Sequence, residues 1–324
     1  MVKYSKNRIL YLDVLRIIAC IMVICIHVSA EYLMIADLKS TLFLESYLID
    51  SISRVCIPIF LMITGALWLK KKSVSIIDMC KLSFKTLCLF FAWNAFYALR
   101  SGIDNYWKSL SEGIYHLWYL LLISVLYIII AVLSLVEDKN KKYLIYFCLI
   151  FGVVLSFISK FAGNNNLFGD VVNPTFITYI GYLLIGYELS NRKGSFIYLI
   201  IFILMSIVYG CAGVAISLNN GEASFPFFNY DNIVVFVNSI LLFISIKSIF
   251  SFKSKIVSVI SAFISNLTFG VYLVHVLVIL VFKHYGILEI LSVWQAIGIV
   301  FLISIFISFV MSKIPYIRCL VSLK

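Results

Sequence analysis

Ten apolar stretches, each about long enough to cross the ~30 Å hydrocarbon core of a bilayer as a helix, leave this chain few ways to fold. They run at roughly 9–30, 50–69, 80–99, 116–136, 143–161, 174–190, 195–217, 231–250, 259–282 and 292–312. Composition agrees: 63% of the 324 residues are hydrophobic, only 13% are charged, and mean hydropathy is +1.07. Ordinary soluble domains are far less apolar. The expected fold is an all-α polytopic membrane protein, with residues 1–324 forming one membrane-embedded domain. No stretch remains for a soluble domain, since the longest polar connections lie near 30–50 and 100–115.

The net charge of +11 would suit nucleic acid, but its distribution points to a membrane instead. When successive loops are placed on alternate sides, one side collects Lys3, Lys6, Arg8, Lys70, Lys71, Lys72, Lys81, Lys85, Lys139, Lys141, Lys142, Arg192, Lys193, Lys247, Lys253, Lys255, Lys313, Arg318 and Lys324. The other side keeps Lys39, Arg100, Lys108, Lys160 and Lys283. Basic residues accumulate on the cytoplasmic side, so both termini are expected inside. Nine or eleven spans would break this sorting. Segment 9–30 contains Asp13 and Arg16 and is too long for a cleaved leader, which makes it an uncleaved first span. The eight cysteines lie in or beside apolar stretches without a CxxC pair, so neither disulfide nor metal is expected. Pro58 interrupts the second stretch and Pro174 opens the sixth. These are not equivalent places in two five-span halves, as an inverted-repeat transporter would require.

Ionisable groups inside spans are costly and mark function by default. Arg16 and His27 stand eleven residues apart in the first span, which returns them to nearly one helix face while separating them by roughly 16 Å along the axis. Tracing direction through the membrane puts His27, Arg54, His116 and His275 in the outer half, with His284 in the external loop beyond. Each has a structural alternative. Arg16 can pair with Asp13 one turn earlier; Glu31, four residues past His27, can orient its ring or serve as an interfacial carboxylate. Arg54 can be an interfacial anchor, and His116 and Trp118 can belong to an aromatic belt. His275 suits packing or support of a site, and the Lys70–Lys72 run is an anchor that could also meet an anionic nucleotide.

The stretch LDVLRIIACIMVICIH resembles the first helix of the acyltransferase type 3 family, whose signature is a basic residue, ten intervening positions and a histidine. In order along the chain, SRVCIPIFLMITG (53–65), HLWYLLLI (116–123), IGYLLIGYEL (180–189) and SNLTFGVYLVH (265–275) resemble further family motifs. Thr64–Gly65 departs from the Ser–Gly seen in many members. The resemblance implies transfer of an acyl group, most often acetyl, from cytoplasmic acetyl-CoA to a hydroxyl of a surface glycan or its lipid-linked sugar precursor; N-acylation of an amino sugar is open, as is self-association. It implies a cytoplasmic-membrane location, with His27 as general base and Arg16 and Arg54 supplying positive charge toward the donor. Two other classes remain: a transporter or flippase for a sugar or small amino acid, and a membrane sensor or anchoring module.

Overall fold

A computed structural model describes residues 8–70, 74–101, 114–161, 174–252 and 254–322. Within them the fold is helical throughout, with no strand. The helices are α1 (Leu10–Ile35), α2 (Thr41–Ser53), α3 (Cys56–Trp68), α4 (Ile76–Ser101), α5 (Trp118–Ser134) and α6 (Asp138–Phe161). They continue with α7 (Pro174–Asn191), α8 (Ile197–Asn220), α9 (Ile233–Ile249), α10 (Lys255–His284), the single turn α11 (Ile287–Ile290) and α12 (Val293–Lys313). Every expected apolar stretch falls on a helix, as it must where lipid offers the backbone no partners. Five segments, α1, the α2–α3 pair, α8, α10 and α12, are long and apolar enough to cross a membrane, and α5 and α9 are shorter apolar helices. The chain is a multi-pass membrane protein.

Three expectations are corrected. Residues 30–50 are not a polar connection: α1 continues to Ile35 and α2 starts at Thr41, capped by Ser40, whose hydroxyl accepts the Phe43 N–H at 3.1 Å. The polar residues that suggested a loop, Ser46 and Asp50, are buried against protein rather than exposed to water. The second stretch does not begin at 50 but is the latter part of a helix that breaks at Arg54–Val55. Pro58 has no N–H to offer the Arg54 carbonyl, so the chain restarts a helix at Cys56 with the proline in its first turn. His284 closes α10 as an exposed residue rather than lying in the following loop. Most of the expected connection near 100–115, the interior of the expected external loop Phe161–Pro174, and Lys71 and Lys72 lie outside the described residues.

α1 is the hub, packed against α2, α3, α9, α10 and α12. α1 and α10 run in the same direction. Just before α1, Arg8 bonds Asn266 in the middle of α10 at 2.9 Å, and at the ends of both helices Lys283 pairs with Glu31 at 2.7 Å. α12 opposes them, with the Ser308 hydroxyl donating to the Leu267 carbonyl at 2.9 Å. The end holding the start of α1 also gathers basic side chains that seal helix ends. Lys247 donates to the carbonyls of Leu189, Ser190 and Arg192 and sits over the Tyr11 ring, and Lys141 donates to the Leu69 carbonyl at 3.4 Å. Cations suit these C-termini, where carbonyls lack helical partners.

α3 and α7 approach through a reciprocal pair of glycines. A methyl group at Gly65 would lie 1.8 Å from the Leu183 carbonyl oxygen, and one at Gly186 would lie 2.0 Å from that of Met62. Small residues let helix backbones meet in lipid, where packing replaces hydrophobic drive. Gly65→Ala and Gly186→Ala should therefore each cost about 1–3 kcal/mol by overpacking and lower the yield of folded protein. Gly298→Ala, at a position open to space, should be neutral. Size-exclusion and thermal unfolding of the detergent-purified variants check this contrast.

Candidate active site

Parallel alignment of α1 and α10 sets two levels in the bundle. At one, the Arg16 guanidinium donates to the Ser265 hydroxyl at 3.2 Å; at the other, the His27 and His275 rings lie 5.2 Å apart, centroid to centroid. The intervals of eleven and ten residues are nearly the same length along the two helices. α5 repeats it: His116, in the turn before α5, meets the upper level, while Tyr127 approaches Arg16 at the lower one.

At the upper level three histidines meet. His116 stands 5.9 Å from His27 and 4.6 Å from His275, and Tyr272 packs on it at 4.9 Å. Tyr272 also donates its hydroxyl to the His116 carbonyl at 2.6 Å, holding the turn that precedes α5. His116 and His275 are buried, whereas His27 keeps an accessible face. That face opens on a cavity of about 230 Å³ lined by Val23, Ile26, His27, Arg54, Cys56, Ile57, His116, Trp118, Tyr230 and Tyr272. Its size is below the ~300–1,000 Å³ of pockets that enclose drug-sized ligands, so it accommodates the reacting end of a substrate rather than all of one. His275 Nδ1 is turned to the Val271 and Tyr272 carbonyls at 3.2 and 2.7 Å.

Arg54 reaches the cavity from the α2–α3 break. One hydrogen bond to Asp50, Nη2 to Oδ2 at 2.8 Å, and an ion-pair contact of Nε with Oδ1 at 2.6 Å hold its guanidinium, and Phe228 covers it at 4.2 Å. Asp50 is only 1% exposed. The loop after α8 supplies both Phe228 and Tyr230, and it is anchored where the Tyr47 hydroxyl donates to the Ser224 carbonyl at 2.8 Å. Trp118 lies 6.0 Å from Tyr230 and 6.3 Å from Tyr179, an aromatic wall beside the guanidinium.

Several site expectations meet a definite arrangement. Asp13 bonds Arg8 at 2.9 and 2.5 Å and also pairs with Arg16 at 3.8 Å, so the expected pairing of Arg16 one turn back is present but longer than that of Arg8. Glu31 does not orient His27, since its carboxylate is drawn to Lys283 at the helix ends. Arg54 is no interfacial anchor, as it is buried against Asp50, and Trp118 lines the cavity rather than a belt at the membrane surface alone. Sequence reasoning missed Asp50, Phe228, Tyr230 and Tyr272. Asp50 carried a usable signal, an acid four residues before an arginine on a helix; the aromatic residues carried none in a chain with 20 tyrosines and 27 phenylalanines. A second cavity, of about 290 Å³ on the far side of α1 and α2, is lined almost wholly by apolar groups such as Ile18, Ile49 and Trp294 and offers no acid or base for chemistry.

Residues 9–313 match the family model of an acyltransferase domain. The chain therefore belongs to the acyltransferase type 3 family and is an acyltransferase. No curated protein and no solved structure matches it.

A buried carboxylate–guanidinium pair is expensive to break by halves, because the survivor is left as an unpaired charge. Asp50→Leu should destabilise the protein by about 3 kcal/mol, and adding Arg54→Leu should recover much of that loss. Thermal unfolding of both variants in one detergent provides the comparison. Recovery in the double variant would locate the cost in the orphaned arginine.

Proposed function

We propose that this protein transfers an acyl group, acetyl in the first instance, from a cytoplasmic acyl-CoA thioester to a hydroxyl of a surface polysaccharide or its lipid-linked precursor. The observation that carries the reading is the cavity itself: an imidazole with a free face, a guanidinium held by a buried carboxylate, and walls that admit one end of a substrate. In this reading the whole chain is one domain of ten spans in the cytoplasmic membrane, with both termini inside. The end of the bundle that holds Arg8, Lys141 and Lys247 faces the cytoplasm, in keeping with the charge rule.

The chemistry follows from the groups present. An alcohol attacks a thioester poorly until a base takes its proton, and His27 can do so from the cavity wall. The acceptor oxygen bonds to the acyl carbon while Arg54 stabilises negative charge on the carbonyl oxygen. As the carbon–sulfur bond breaks, His27 returns the proton to the departing thiolate, leaving an ester and a free thiol. Arg16 sits about 16 Å deeper along α1. Asp13 stands 3.8 Å from it and its hydrogen bond goes to the neutral Ser265 hydroxyl, which supports a role in meeting the donor's charged or polar arm.

Arg16→Ala should weaken acyl-CoA binding, and Arg16→Lys should retain part of it, since lysine keeps the charge without the planar fork. Calorimetry on purified protein reads the difference. The deciding test is glycan analysis of a deletion strain complemented at matched abundance. The parental gene should restore an O-acyl group, whereas His27→Ala and His27→Gln should each lower transfer by about 10²–10⁴-fold. Near-parental acylation by His27→Gln would remove His27 as base, and movement of a sugar without any acylation would favour a transporter.

A further inference from the structure

Among the described residues the histidine cluster leaves three buried ring nitrogens without a hydrogen-bond partner, both of His116 and Nε2 of His275, and the last is an acceptor without a donor. His275 Nδ1 lies within hydrogen-bond distance of two backbone carbonyls, at 2.7 and 3.2 Å, and carbonyls only accept. Nδ1 therefore carries the hydrogen, and in a neutral imidazole Nε2 is then a bare lone pair. That nitrogen is fully buried and has no hydrogen-bond partner among the described residues. A buried acceptor left unmade is costly, so it calls for a donor.

Few donors are within reach. Tyr272, 6.3 Å away ring to ring, already donates its hydroxyl to the His116 carbonyl. The remaining neighbours are the rings of His27 and His116. Two imidazoles joined end to end by a bond of about 2.9 Å, each ring atom roughly 1.1 Å from its centroid, have centroids about 5.1 Å apart. The His27–His275 separation is 5.2 Å. His116 is closer, at 4.6 Å and 62°, an edge-to-face contact too short for an in-line bond. His27 in turn needs an acceptor for the nitrogen that does not face the cavity. No nearby carboxylate is free to serve: Asp13 is held by Arg8, Asp50 by Arg54 and Glu31 by Lys283.

We propose that His275 is a positioning residue whose Nε2 accepts the N–H of His27, fixing the tautomer in which the other His27 nitrogen faces the cavity as a bare base. The rings are tilted 52° to one another, and the bond closes by a turn of the His27 ring when a substrate hydroxyl arrives; catalytic hydrogen bonds commonly tighten in this way. The inference rests on the acyl-transfer reading for its consequence, but not for its geometry.

Two variants test it. His275→Leu removes the acceptor, whereas His275→Gln offers an amide oxygen about as far from the backbone as Nε2. Steady-state transfer by purified protein should show kcat lowered roughly 10–100-fold in His275→Leu, the usual cost of removing a partner that orients an imidazole, with KM for donor and acceptor unchanged. His275→Gln should stay within a few-fold of parental kcat. In parallel, diethyl pyrocarbonate should modify His27 more slowly in His275→Leu than in the parental protein or His275→Gln, as read by peptide mass spectrometry. Equal kcat and equal labelling in the Leu and Gln variants overturn the proposal, as does a loss that follows His116→Leu but not His275→Leu. A parental protein that fails to transfer acyl groups yet keeps the labelling order overturns the acyl-transfer reading and leaves the hydrogen bond standing.

Discussion

α1 and α10 lie against each other in parallel, and every distance in the site follows from that register. Because both helices climb 1.5 Å per residue in the same sense, a contact made at one level fixes which residues meet ten or eleven positions later. The Arg8–Asn266 and Arg16–Ser265 contacts at one level thus align His27 with His275 at the next, and the Glu31–Lys283 pair closes the far end. A shift by one turn would carry His27 past His275 and part the two rings. Polar pairs cost energy to bury, but several spaced along one interface specify a single register in a way that leucines and valines do not.

Carboxylates are consumed at each of these contacts, and this shapes the chemistry. Asp13, Asp50 and Glu31 each hold a cation, and none touches an imidazole. The histidines are left to one another in a cluster whose members can all be neutral. In a low-dielectric interior a neutral ring is far cheaper to bury than an ion. The guanidinium of Arg54, already compensated by Asp50, adds positive potential to the cavity without adding an unpaired charge.

Much of this arrangement was legible in the sequence, for reasons that also explain where legibility stopped. Apolar length marks helices well, because lipid-facing turns tolerate few polar groups. It fails where polar residues face protein: Ser46 and Asp50 made α2 look like a loop. The spacing of Arg16 and His27 carried the two levels, since both sit on one helix. Their partners did not follow from spacing. Whether Asp13 takes Arg8 or Arg16 depends on how the chain enters α1, and whether Glu31 reaches His27 or Lys283 depends on α10, distant in sequence. The shared depth of His27, His116 and His275 was readable from alternating directions, but their meeting required the packing of α1, α5 and α10. Pro58 marked an interruption, and the break lies one turn before it for the reason any proline acts four residues upstream.

The break is what lets one helix serve two purposes. Were α2 and α3 continuous, the Arg54 carbonyl and side chain would be locked into a regular ridge, and the guanidinium would point along the helix surface at an angle set by its neighbours. At the broken turn the α2 end is capped by a tightened bond, Arg54 N–H to the Ser51 carbonyl at 3.3 Å, and α3 restarts at Cys56. α3 is thereby free to follow α7 through Gly65 and Gly186, while α2 follows α1 and α8. The arginine sits where those two demands diverge, and the space opened between them is the cavity that His27 faces.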